Sequence, residues 1–243
     1  LIKSVHAKYI HGFTATPKRQ DGLEKLMHFQ IGSVVYKAAS SSSSFEQHVK
    51  VVKTNTSFPS EWLIPGTKPH ISQVYKHLVC DQARNEMIVN SIKQSVNNDR
   101  SVMVLTERKE HIELLAKMMA DKGIKIVELH GGISTKQRQE RIALLSDKPA
   151  GDEAVVILAT GKYVGEGFDL PHLDTLFITL PIAWKGILAQ YAGRIQREWS
   201  NKTVIQVYDF IDDFPTLQRM WKKREKGYKA LGYQLNEQKS LLI

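Results

Sequence analysis

From residue 101 onward, short apolar runs alternate with longer segments whose apolar residues recur every three or four positions. This alternation constrains the fold more than any other feature of the 243 residues. SVMVLT (101–106), KIVEL (125–129), AVVILAT (154–160), TLFITL (175–180) and TVIQVYDF (203–210) have strand length and are too continuously apolar for a sheet wetted on one side. The segments between them supply helices. Ile112, Leu115, Ala116 and Met119 form one stripe within 108–122, and Ser134 with Gln137 forms a capping box opening a helix that runs to about Ser146. A further helix spans about Lys185 to Glu198, and Asp81 caps an earlier one carrying Ile88, Ile92 and Val96. The pattern predicts an α/β fold, a doubly wound parallel sheet with helices on both faces. In such sheets ligands bind at the carboxyl ends of the strands, where each candidate motif of this sequence lies or from which its helix starts.

The first 80 residues are less regular. Residues 9–15 (YIHGFTA) and 34–38 read as short strands, and 17–32 is mixed. Ser40 to Ser44 form a low-complexity run with nothing to bury, a flexible connector by composition. HVKVVK (48–53) alternates like a half-buried strand, and Pro59, Pro65, Gly66 and Pro69 punctuate a loop. Cys80 is the sole cysteine, which excludes an internal disulfide or a cysteine-based zinc cluster and suits a reducing, cytoplasmic compartment. Its expected role is that of a small buried apolar residue. Hydrophobic residues at 42% and charged residues at 24% describe an ordinary globular chain, and no apolar run approaches the roughly 20 residues of a spanning helix. Lys and Arg exceed Asp and Glu by 34 to 25, a net charge of +9, which is compatible with a polyanionic partner without requiring one.

The sharpest chemical signal is QYAGRIQR, Gln190 to Arg197. On a helix turning about 100° per residue, Gln190, Gly193, Arg194 and Arg197 share one arc, while Leu188, Tyr191, Ala192 and Ile195 share an apolar one. Paired guanidinium groups on a rigid element suit a terminal phosphate; taken alone, the same arc reads equally as a solvated basic face. ATGKYVGEGFDLP (159–171) leaves a strand with three glycines and with Asp169, an acceptor suited to a ribose hydroxyl or to an arginine. Alone it is also compatible with a plain turn. HGGIS (130–134) follows another strand and opens a capped helix, and Thr106-Glu107-Arg108 ends a third in the same manner. In the tail, QRMWKKREK (218–226) is read as an amphipathic helix packing Met220 and Trp221, ahead of its alternative as a nucleic-acid track. YDFIDD (208–213) is read as a strand end whose acids cap the next element.

Together these segments resemble the C-terminal motor lobe of superfamily 2 helicases and translocases. QYAGRIQR is similar to the family's Q-x-x-G-R-x-x-R motif VI, ATGKYVGEGFDLP to motif V, VMVLTERKEH to motif IV, and LHGGIS with Arg138 to the intervening HG motif. GFTATP (12–17) resembles motif III, the S/T-A-T element closing the first motor lobe, and TATPKRQDG resembles the branch with DEAH-type or related boxes found in repair, restriction and phage helicases. The resemblance implies a RecA-like sheet and three segments. Residues 1–36 would be a remnant of the first lobe, 37–75 a linker with short strands, and 76–243 the second lobe with a basic C-terminal helix. Neither a G-x-x-x-x-G-K-[ST] phosphate loop nor a D-E-x-[DH] box occurs in the chain. In the family both lie upstream of the T-A-T element, so the expectation is a piece of a longer protein whose first lobe lies elsewhere.

The resemblance also implies roles. Arg197 would be an arginine finger at the γ-phosphate, Arg194 its companion and Gln190 an orienting amide, all pointing from the sheet's carboxyl rim into a cleft with the first lobe. Gly167 and Asp169 would touch the sugar side of the nucleotide, with Asp169 linking to Arg194. Thr106, Arg108, Gly131, Thr160 and Lys162 would contact a nucleic-acid backbone, with DNA favoured over RNA, and Thr14 and Thr16 would couple the lobes. ATP and Mg²⁺ would be used by the intact protein, their main ligands lying on the first lobe. The alternatives are a non-catalytic nucleic-acid-binding module of the same shape, or the motor part of a restriction-type endonuclease subunit.

Overall fold

A computed structural model of the chain describes residues 8–13, 23–36, 45–146, 155–164, 169–182, 185–200 and 202–238. Two compact units divide it, residues 1–43 and 44–243. Among the described residues the first contains one helix, α1 (Glu24–Ile31). The expected strands at 9–15 and 34–38 do not form in their described parts, Tyr9–Phe13 and Val34–Tyr36, where Phe13 and Val35 are almost wholly exposed. A strand needs a neighbour to hold its backbone groups, and neither segment has one among the described residues. Thr14, Thr16 and the serine run lie outside the described residues.

The second unit is a seven-stranded sheet in which every pairing is parallel. Its strands are β1 (Glu46–Lys53), β2 (Val102–Thr106), β3 (Ile126–Leu129), β4 (Val156–Thr160), β5 (Thr175–Ile178), β6 (Val204–Ile211) and β7 (Gln234–Gln238), in the order β3-β4-β2-β5-β6-β1-β7. The helices are α2 (Ile71–Cys80), α3 (Gln82–Asn97), α4 (Lys109–Ala120), α5 (Thr135–Ser146), α6 (Lys185–Ile195) and α7 (Pro215–Ala230). Alternate residues of each strand serve opposite cores. Val102, Val104, Val156 and Leu158 pack with Ile88, Ile92, Ile112 and Leu115 of α3 and α4. Met103, Leu105, Ile157 and Ala159 face the side of Leu188, Tyr191 and Ile195 of α6, Leu145 of α5 and Tyr228 of α7. Because both faces are covered, β2 and β5 are buried at every position, which is why their sequences are unbroken apolar runs. The Asp81 carboxylate accepts from Arg84 N at 3.0 Å, and Ser134 and Gln137 bond reciprocally at 3.2 and 2.9 Å, as their spacing predicts.

Four features depart from the sequence pattern. First, the strand expected within a 37–75 linker is β1, and it sits inside the sheet between β6 and β7, with Val49, Val51 and Val52 buried. Second, β7 has no counterpart in the sequence pattern: QLNEQ has a single apolar residue, Leu235, because it is an edge strand paired only with β1 among the described residues. Third, Cys80 is exposed rather than buried; it ends α2 while Val79 and Leu78 turn inward. Fourth, the acids of YDFIDD do not cap α7, whose N-cap Phe214 receives no side-chain bond. Asp209 is instead fully buried and gripped by Arg224 through two bonds of 2.7 and 2.8 Å, with the Tyr228 hydroxyl donating at 2.8 Å. Asp212 is equally buried and accepts from Arg84 Nε at 2.7 Å and from Thr54 Oγ1 at 2.7 Å. These two carboxylates tie β6 to α7 and to α3 respectively. In the tail helix Met220 is buried and Trp221 packs half-buried against the same core as Tyr228.

Candidate functional site

β2 stands between β4 and β5; from its carboxyl end the chain leads through α4 to β3 on one side, and from that of β5 through α6 to β6 on the other, so the connections part there, the place where such sheets bind ligands. Three of the predicted backbone-contact residues gather at this edge. Thr106 and Thr160 end adjacent strands in register. Gly131 follows β3, and a Cβ there would lie 2.8 Å from the hydroxyl of Tyr163, whose ring also lies 5.8 Å beneath the Arg138 guanidinium. Gly161 opens the turn after β4 directly against α6: a Cβ there would fall 1.5 Å from Tyr191 Oη, so only glycine lets the loop pass. The same hydroxyl reaches Glu107 Oε1 at 3.5 Å. Tyr191, assigned by spacing to the apolar arc, is thus the floor under the loop. Lys162 lies in this turn with its side chain outside the described atoms, and Gly167 lies outside the described residues.

Not every predicted contact residue is available to a ligand. Thr106 is buried, and its hydroxyl belongs to a closed chain of polar groups. Asn85 Nδ2 donates to Val79 O at 2.8 Å, which leaves its Oδ1 to accept from His111 Nε2 at 2.9 Å. His111 Nδ1 must then accept from Thr106 Oγ1, at 2.9 Å. The network fixes one tautomer and one charge state: burial, helped by the Arg84 charge, lowers the His111 pKa from 6.5 to about 3. The unfolded chain binds a proton at this position below pH 6.5 and the folded one does not until about pH 3. Stability from this group is therefore complete above pH 6.5 and is lost progressively as pH falls. Urea unfolding at pH 6.5 and 4.5 should show a loss of about 2–3 kcal/mol assignable to His111. That slope should flatten in His111→Gln, and an equally steep slope in the variant would refute the assignment. Arg108 is likewise engaged: it turns toward α2, its guanidinium 6.0 Å over the Tyr75 ring and 3.4 Å from Ser72 O.

The arginine motif sits elsewhere. α6 starts beyond the carboxyl end of β5 and runs back, so its last turn comes to the opposite end of the sheet. Lys202, just before β6, bonds there both to Ile195 O and to Leu173 O, just before β5. The helix ends at Ile195 rather than Glu198, and Arg197 lies past it. Arg197 therefore does not share a helical arc with Arg194, and neither projects from the carboxyl rim as expected. The grouping itself survives by another route: Arg197 Nε lies 3.3 Å from Asp169 Oδ1, with both side chains more than half exposed at 55% and 60%. Burial, then the Arg197 charge, lowers the Arg194 pKa, and Asp169 opposes the shift, which puts all three groups within electrostatic reach. Asp169 thus faces both arginines, paired with Arg197 at 3.3 Å and acting electrostatically on Arg194. Gln190 is exposed on the same helix, and among the described residues a Cβ at Gly193 would meet nothing within 4 Å. Among the described residues, no three His, Cys, Asp or Glu side chains group where a metal could be held.

The family profile of the helicase conserved C-terminal domain matches residues 83–199, the stretch from α3 through Arg197. This chain carries the C-terminal lobe of a superfamily 2 helicase. The helicase lobe is 29% identical over 240 residues to a putative helicase, 161L, of Invertebrate iridescent virus 6, with 94% of the chain and 51% of that relative aligned. It is 23% identical over 230 residues to a probable helicase, D10, of Escherichia phage T5, with 93% and 48% aligned. The chain thus spans about half the length of these curated relatives. Among solved structures, that of UvsW of phage T4 superposes with a TM-score of 0.63 at 16% identity, covering 82% of this chain and 42% of that one. That likeness establishes the RecA-like fold of the lobe.

Proposed function

We propose that this helicase lobe serves an ATP-dependent helicase or translocase, supplying Arg197 and Arg194 to the γ-phosphate of ATP bound against a first lobe. The observation that carries this reading is the exposed Arg197–Asp169 pair with the half-buried Arg194 beside it, on the helix flank of Gly193. A planar guanidinium fork binds phosphate oxygens in pairs and stabilises the charge that spreads over them during transfer. Asp169, now held by Arg197, would exchange that partner for a ribose hydroxyl or orient the finger, while Gln190 adds an amide on the same flank. Mg²⁺ would neutralise the β- and γ-phosphates with ligands from the first lobe. This chain alone would then hydrolyse almost no ATP.

The carboxyl edge, at the other end of the sheet, would grip a nucleic-acid backbone, with Gly131, Thr160 and Lys162 as contacts and the net charge of +9 favouring the polyanion. The turn from Gly161 to Asp169 would connect the two sites, so that phosphate release at one flank changes the grip at the other. We propose DNA as the strand and a reducing cytoplasm as the compartment. Binding of a labelled single-stranded oligonucleotide by this chain should weaken roughly tenfold or more between 50 and 200 mM salt, as expected for a few displaced counterions. Affinity that ignores salt would refute the backbone grip, and nucleic-acid-independent ATP turnover by the two-lobed protein would refute the coupling.

A further inference from the structure

We propose that Lys202 is a positioning residue: its ammonium fastens the loop that carries Asp169 to the C-terminal end of α6, and so sets the spacing of Asp169 from Arg194 and Arg197. This rests on the reading of that cluster as the phosphate-facing site. Lys202 falls outside the helicase-domain match and outside every motif.

Its geometry is complete in donors and acceptors. The ammonium has three N–H groups and meets three backbone carbonyls, Pro171 O at 2.6 Å, Leu173 O at 2.9 Å and Ile195 O at 3.1 Å. Two of these belong to the loop just after Asp169, and the third belongs to the last residue of α6, adjacent to Arg194 and close to Arg197. A cation at a helix C-terminus also opposes the partial negative charge of the terminal carbonyls. Lys202 further lies 5.3 Å over the Phe45 ring, and its own amide bonds to Trp199 O at 3.2 Å, so the stem that reaches the three carbonyls is itself fixed. The charged groups facing it are Asp174, which favours the ammonium, and Arg100, which opposes it; burial dominates and brings the pKa to about 8. Because the loop and the helix end meet only through long connections in sequence, a single side chain tethering both is an economical way to hold a carboxylate and two guanidiniums at fixed spacing.

The test uses this chain without nucleotide. In Lys202→Met, hydrogen exchange of the Leu173 amide, which donates to Leu170 O at 3.2 Å, should speed up at least about tenfold, the scale expected for losing bonds from a charged donor. The Nε–Hε resonance of Arg197 should move toward that of free arginine. Lys202→Arg, whose fork still reaches carbonyls, should restore much of both, and Lys202→Gln should fall between. The Arg224 Nε–Hε resonance, bonded to buried Asp209, should stay in place and report an intact fold. If Leu173 protection and the Arg197 signal are unchanged in Lys202→Met, the tether is refuted. If Lys202→Met and Lys202→Gln both lose the Arg224 signal, Lys202 is a general scaffold residue and the positioning claim is equally refuted. Neither result bears on whether Arg197 serves catalysis, which turnover in the two-lobed protein decides separately.

Discussion

Arg197→Ala in the protein with both lobes should lower nucleic-acid-stimulated ATP turnover by roughly a thousandfold or more, the scale of arginine-finger removal in phosphoryl transfer. The size reflects where the charge is needed. An exposed guanidinium paired to a carboxylate at 3.3 Å contributes little to folding, so its loss should leave the melting temperature almost unchanged. Its value would come only when the γ-phosphate spreads negative charge over oxygens in a closed cleft. Nucleic-acid affinity should survive, since the proposed grip would lie at the far end of the sheet. Arg197→Lys should recover little, because an ammonium cannot reproduce the planar fork. Steady-state turnover with matched binding isotherms checks all of this. Turnover within a few-fold of the parent would mean that Arg197 is not the finger, and would favour the non-catalytic binding module.

Asp209→Asn should destabilise the lobe by about 3–5 kcal/mol, because it strands a buried cation. The Asp209 carboxylate takes two bonds from Arg224 and one from Tyr228, and all three side chains are shielded from water. Arg224 also donates to Ile182 O at 3.0 Å, so the cluster clamps α7 to β6 and to the segment after β5. Burial pushes the Tyr228 hydroxyl well above its ordinary pKa, in keeping with a neutral phenol that donates to the carboxylate. Replacing both charged partners, as Asp209→Leu with Arg224→Met, should recover most of the loss, since the penalty comes from the unpaired charge rather than from the absence of a salt bridge. Urea unfolding of the single and double variants gives the comparison. A single-variant loss below about 1 kcal/mol would mean that water reaches Arg224.

β2, β4 and β5 are legible in the sequence because they are covered on both faces, and near-complete burial writes itself as an apolar run, whereas β3, half-buried at the sheet's edge, and β6, with Gln206 and Asp209, are legible only through their remaining apolar residues. The start of α3 and of α5 is legible for another reason: Asp81, Ser134 and Gln137 act on backbone groups within their own turn. What escapes is long-range. HVKVVK alternates like a half-buried strand and gives no sign that its neighbours will be β6 and β7, because pairing partners 158 residues apart leave no local trace. Asp209 and Asp212 look like capping acids until Arg224 and Arg84 arrive from other helices. The members of the arginine cluster are legible in the motif, but their place is not. Helical spacing assumes that the helix continues to Arg197, whereas the tie from Lys202 to Ile195 O marks its end. Direction along the sheet is also invisible in a motif: α6 carries its arginines away from the edge where it begins.

The interior seat of β1 has a consequence for how the lobe is made. β1 finds both of its neighbours only at residues 204–211 and 234–238, so Val49, Val51 and Val52 wait through the synthesis of about 150 intervening residues with open backbone on either side. Until residues 234–238 are made, β1 therefore keeps an open strand edge, sticky at a known place, which β7 then covers.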